Sequence, residues 1–116
     1  MRQEVFEFET QQRDGAAVVR LFGELDLAGT EVFQGELDRL RGGELSRLTI
    51  DLSELEFVDS TGLRLLMSLS GACTREQVAL TLVPGPRAVQ RLFQVTGTDA
   101  HFTFISGPAG GGAPSP

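Results

Sequence analysis

Apolar and acidic residues alternate along Val5-Phe6-Glu7-Phe8-Glu9, and alternation resumes from Ala16 to Phe22 after an interruption at Gln11 to Gly15. A period of two sends successive side chains to opposite faces of a strand, and Asp14-Gly15 is turn chemistry, so the two runs predict a β-hairpin. Gly23-Glu24-Leu25-Asp26 closes it. From about Thr30 the period lengthens, with Phe33, Leu37 and Leu40 at helical spacing until Gly42-Gly43 ends the segment. Leu48, Ile50 and Leu52 alternate with Thr49, Asp51 and Ser53, which predicts a third strand. A second helix runs from Ser60 to about Thr74, with Leu63, Leu66 and Met67 on one apolar row and Leu65, Leu69 and Cys73 on another. Val78 to Val83 predicts a strand, Pro84-Gly85-Pro86 punctuates, and Val89, Leu92 and Phe93 give the next helix one apolar stripe. Phe102 to Ile105 is expected to be a last short strand.

The predicted order, β-β-α-β-α-β-α-β, is that of an α/β protein. Strands joined by helices are parallel neighbours and the opening hairpin is antiparallel, so the sheet is mixed, of four to five strands. The polar alternates Thr49, Asp51 and Ser53 leave one sheet face partly uncovered, which puts the helices mainly on the other. One domain is expected over residues 1–106. Residues 107–116, Gly-Pro-Ala-Gly-Gly-Gly-Ala-Pro-Ser-Pro, lack the apolar content to join a core and are expected to form a disordered tail.

Composition narrows the function. At 116 residues and 41% hydrophobic the chain is long enough for one globular core. No apolar run approaches the roughly 18 residues that would span a bilayer, and Met1-Arg2-Gln3-Glu4 opens without an apolar signal core, so a cytoplasmic location is expected. The net charge of −6 is uneven: residues 1–60 hold 14 acids against 6 arginines, a net of −8, and residues 61–116 hold 2 acids against 4 arginines, a net of +2. That balance argues against nucleic acid, which is bound chiefly through cations, and suits a basic protein partner. The chain has no lysine, so no phosphate-binding Gly-x-x-x-x-Gly-Lys loop exists. Cys73 sits on the apolar side of its helix and reads as core, and His101 stands near no plausible nucleophile or metal partner. No catalytic residue, metal ligand or cofactor is expected.

The chemistry that remains lies in Phe57-Val58-Asp59-Ser60-Thr61-Gly62-Leu63, where a hydroxyl pair beside an acid opens a helix. Asp59 and Ser60 are both residue types that cap helix starts, and such an end receives anions. Phosphorylation of Ser60 would add about −1.5 to −2 charges there. The plainer reading of Ser60 is a capping hydroxyl worth about 1 kcal/mol.

These segments together resemble the STAS family of anti-sigma-factor antagonists. The signatures are Gly23-Glu24-Leu25-Asp26 after the second strand, Asp51-Leu52-Ser53 ending the third, Phe57 through Leu63 opening the next helix, and Pro86 through Gly97 with Val89, Arg91, Leu92 and Phe93. They occur in the family's order and cover roughly residues 3–106. The resemblance implies a phosphorylation switch without catalysis of its own. The serine after the aspartate, here Ser60, would be the modified residue, with Thr61 the rival acceptor. The unmodified form would bind an anti-sigma factor that is also an ATP-dependent serine kinase and so free a sigma factor, and a separate serine phosphatase would reset it. Glu24, Asp26, Asp59, Ser60, Thr61, Gly62 and Arg64 are the expected partner-binding residues. The resemblance also places the Glu24–Asp26 loop beside the serine. A phosphate crowding those carboxylates would cost at most about 4 kcal/mol per unit pair at ~4 Å, nearly a thousandfold in affinity.

Two departures stand out. Arg64 occupies a position where some members carry a small residue, and it either pairs with a phosphate on Ser60 or is a solvated surface arginine. Arg75-Glu76-Gln77 replaces a frequent Gly-Gly turn before the next strand. The family also includes sensory scaffolds, transporter-attached domains and lipid-transport accessories, so a non-switching scaffold or accessory module is the alternative. A monomer or a weak dimer is expected.

Overall fold

In the computed structural model, which describes residues 5–105, the hairpin is longer and tighter than its alternation suggests. β1 (Glu7–Arg13) and β2 (Ala16–Leu25) pair antiparallel along their whole overlap, with Arg13 opposite Ala16. Asp14 and Gly15, with φ of 52° and 81°, form the entire turn. The expected turn at Gln11 to Gly15 is thus corrected: Gln11, Gln12 and Arg13 belong to the strand, because two positive φ values match the twist of a two-residue hairpin.

α1 (Leu27–Arg41) begins three residues before the expected Thr30. Asp26 is its cap, with Oδ1 accepting from the Gly29 amide at 3.0 Å, and Thr30 is inside the helix, its hydroxyl donating to the Leu27 carbonyl at 2.7 Å. β3 (Arg47–Asp51) then lies parallel to the first half of β2. Asp51 ends it by accepting from the Ser53 amide at 2.9 Å, and a short strand absent from the predicted order follows, β4 (Leu55–Val58). β4 pairs parallel with the second half of β2, Glu24 opposite Phe57 and Leu25 opposite Val58. The change of partner coincides with an irregularity at Gly23, whose φ of 88° and close approach to the Val5 carbonyl exclude a side chain.

α2 (Ser60–Glu76), β5 (Ala79–Val83), α3 (Arg87–Thr96) and a 3-10 turn at Thr98–His101 complete the order. β5 is parallel to β3. The last strand expected at Phe102 to Ile105 is corrected to a single parallel bridge, Leu82 with Phe104. Phe102 and Phe104 instead stack edge-on against buried Phe93, at 5.5 and 5.4 Å between ring centres. The sheet is mixed and five-stranded, in the order β1-β2-β3-β5 with β4 beside β2.

Alternation along these strands sorts the two faces. Ala17, Val19, Leu21, Leu48, Ile50 and Leu82 are buried and share the core with Phe33, Leu37 and Leu40 of α1 and Leu63, Leu66 and Leu69 of α2. Thr49 and Thr81 bond each other on the opposite face at 3.1 Å, and Arg20 pairs with its strand neighbour Asp51 at 3.2 Å. The helix-bearing face and the polar face are those the alternates of β3 predict. The tail expected at 107–116 and the first four residues lie outside the described residues.

Candidate functional site

Adjacent parallel strands end at the same edge of a sheet, so β2 and β4 deliver their C-terminal residues side by side. That places Glu24-Leu25-Asp26 against Phe57-Val58-Asp59, and the Asp59 amide donates to the Leu25 carbonyl at 3.3 Å. Each strand then runs directly into a helix capped by an aspartate, Asp26 for α1 and Asp59 for α2. The Asp59 Oδ1 accepts from two amides, Thr61 at 2.9 Å and Gly62 at 3.1 Å. Asp59 is therefore the cap, and Ser60 is the first residue inside the helix.

Ser60 is exposed, and its hydroxyl makes no hydrogen bond to another described residue. Thr61, beside it, is half-buried. Gly62 is buried where α2 crosses the end of β2: a Cβ there would stand 2.5 Å from the Leu25 carbonyl oxygen and 2.7 Å from a Val58 methyl. Gly62, expected among the partner-binding residues, is a packing requirement of this crossing. It lets the two strand ends and the start of α2 close up, which holds Ser60 on a fixed turn beside Glu24 and Asp26.

Six of the seven residues singled out in the sequence, Glu24, Asp26 and Asp59 to Gly62, are thus brought together at one edge. Arg64 is one turn further along α2, exposed, in the wall of a groove of about 580 Å³ between α1 and α2. Thr61, Leu65 and Ser68 share that wall, and Thr30, Glu31 and Asp38 line the α1 side. These α1 residues carry no motif, so only the packing of the two helices reveals them.

A second feature unread in the sequence is apolar. Phe57 is 46% exposed and Val95 68% exposed. Together with Leu92 they border a hollow of about 300 Å³ between β4 and α3, next to the Asp59 turn. Phe57 shows as an exposed anchor only once β4 is seen to bury its two ends, Leu55 and Val58, and not its middle.

Residues read as structural lie elsewhere. Cys73 is buried in the core, and burial pushes its thiol up, away from the reactive thiolate. His101 is exposed at the end of the 3-10 turn. Among the described residues no group of three or more His, Cys, Asp or Glu is placed to hold a metal ion, and no helix is long and apolar enough to cross a membrane.

Comparison with known proteins places this geometry. No curated protein sequence matches the chain. Among solved structures, an anti-sigma factor antagonist from Mycobacterium paratuberculosis is similar at 26% identity and TM-score 0.73, covering 89% of this chain and 87% of that one. The anti-sigma factor antagonist SpoIIAA in its unphosphorylated form is similar at 22% and 0.74, covering 86% and 89%. A murine solute carrier 26 family member A9 anion transporter contains the same fold at 21% and 0.70, with 85% of this chain matching 17% of the transporter. The family profile described as "Mlab, STAS domain" matches residues 8–105, and the chain belongs to the STAS domain family.

Proposed function

We propose that this protein is an anti-sigma-factor antagonist, a cytoplasmic binding module that docks, when unmodified, onto an anti-sigma factor with serine kinase activity and thereby releases a sigma factor. Phosphorylation of Ser60 ends the interaction, and a serine phosphatase restores it. The observation that carries this reading is the Ser60 hydroxyl, exposed on the first turn of α2 and flanked by the strand ends that bear Glu24, Asp26 and Asp59. Similarity to an antagonist over most of both chains supports it. The partner's kinase site would transfer the terminal phosphoryl group of ATP to the Ser60 oxygen, releasing ADP and the hydroxyl proton. The new dianion would then crowd the carboxylates of its own edge, add bulk at the docked face and have to shed its hydration there, so affinity falls without refolding.

The test combines mass-spectrometric mapping with binding. Incubated with ATP and the ATP-binding anti-sigma factor encoded nearest to it, the protein should gain one phosphate, at Ser60. Ser60→Ala should stay bound to that partner in the presence of ATP, and Ser60→Asp should bind weakly or not at all. Modification at Thr61 or elsewhere, with Ser60→Ala behaving as wild type, would overturn the reading. The occurrence of the same fold inside an anion transporter favours one alternative, a non-switching scaffold or accessory module. Co-purification with membrane transport subunits instead of a kinase would establish it.

A further inference from the structure

The start of α2 has little left to offer a second anion. Asp59 already holds the Thr61 and Gly62 amides, and the Leu63 amide donates to the Asp59 carbonyl at 3.0 Å. Of the first four amides of α2 only that of Ser60 remains undonated, so most of the stabilisation of a phosphate there must come from a cation. The acids around it offer no cation: Asp26 and Asp59 at the same edge, and Glu31 and Asp38 across the groove. Asp38 is partly satisfied by Gln34 at 2.9 Å and by Arg41 at 4.0 Å. Arg20, Arg39 and Arg41 are held by Asp51, Glu36 and Glu76. Arg91 lies on the far side of β4, bordering the hollow with Glu56.

Arg64 differs from all of these. It is exposed, lies four residues after Ser60 in the same helix, and has no ion pair among the described residues. Residues at this spacing are neighbours on a helix surface, and a long helical side chain leans back over the turn before it. We propose that Arg64 is the internal counter-cation of a phosphate on Ser60, so that modification draws its guanidinium out of the α1–α2 groove and onto the start of α2. Arg64 is thus a positioning residue: it fixes where the phosphate sits. Its planar fork suits two phosphate oxygens at once, which a lysine would not match.

The inference rests on Ser60 as the modified hydroxyl, but its test needs no kinase. Phosphoserine can be encoded at position 60 and its phosphate titrated by phosphorus NMR. Arg64→Gln should raise the phosphate's apparent second pKa by about half a pH unit relative to the phosphorylated parent, a difference that closes in 1 M salt. Arg64→Lys should recover part of the shift, and Arg75→Gln, at the other end of α2, should leave the titration unchanged. Matching circular dichroism would show that each variant is folded. Equal titration of Arg64→Gln and parent, or a shift on Arg91→Gln instead, overturns the inference. If the pKa responds to Arg64 while the phosphorylated protein binds the anti-sigma factor as well as the unmodified one, the ion pair stands and the switch fails. The reverse pattern removes Arg64 and keeps the switch.

Discussion

One carboxylate oxygen of Asp59 accepts from two amides at 2.9 and 3.1 Å, and that leaves the neighbouring Ser60 hydroxyl uncommitted. The division of labour is physical: a capping side chain must lie just outside the helix, and a modifiable one must point to solvent. Replacing Asp59 with Ala should destabilise the fold by about 1 kcal/mol, measured as a lower urea midpoint, whereas Asp59→Asn should retain most of it because an amide oxygen caps nearly as well. At the other end of α2, Gln77 occupies the left-handed region at φ 61°, ψ 39°, with its amide bonded to the Cys73 and Thr74 carbonyls. A side chain costs roughly 1–2 kcal/mol in that conformation; glycine would relieve this cost but give back part of the gain through its greater unfolded-state freedom. Gln77→Gly should therefore raise the unfolding free energy by about 0.5–1 kcal/mol. Of the Arg75-Glu76-Gln77 that replaces a frequent Gly-Gly turn, only Gln77 lies beyond α2, and it stores a small strain.

At the scale of elements, β1 is tied to α1 by a buried polar node. Glu36 is 8% exposed, accepts from the Thr10 hydroxyl at 2.6 Å and pairs with Arg39 at 2.7 Å. The Arg39 hydrogen bond, followed by that from Thr10, holds the Glu36 carboxyl below its ordinary value of 4.5 against the opposing effect of burial. A depressed carboxylate adds stability above the unfolded value and loses it as pH falls through the folded one. Urea unfolding followed from pH 7 to pH 3 should accordingly show wild type losing more stability than Glu36→Gln, with the two curves converging at the acid end. Elements also show where sequence patterns mislead. α1 starts at Leu27, which is 63% exposed and so gives no apolar signal, and Asp26 just before it is the cap. β4 was missed because its burial runs in-out-out-in, without the alternation that marks a strand. Phe102 and Phe104 promised a strand by composition, but their rings serve an aromatic cluster on Phe93 and the backbone pairs only once.

At the scale of the whole molecule, charge is segregated. Residues 1–60 are net −8 and include every acid at the β2–β4 edge, while residues 61–116 are net +2. If the edge meets a basic partner, as its charge suits, association should be steered. Stopped-flow measurement should show the association rate falling severalfold between 50 and 500 mM salt, with a much smaller effect on dissociation. A salt-independent association rate would locate the interface away from this edge, for instance at the apolar hollow of Phe57 and Val95.

The order of strong elements, the apolar face and the identity of the Asp59-Ser60 turn were all present in the chain, because periodicity and capping are local properties that a stretch of ten to fifteen residues can specify. The meeting of Glu24 and Asp26 with Asp59 is implied by the family resemblance but by no local pattern, since it depends on β2 exchanging β3 for β4 at Gly23, a pairing between segments about thirty residues apart. Nor does any local pattern show the part played by Gly62, whose missing side chain matters only because the Leu25 carbonyl lies 2.5 Å from where a Cβ would be. Sequence can nominate a serine and the arginine one turn beyond it, but whether the serine's oxygen is open and what surrounds it are set by how distant strands close on one another.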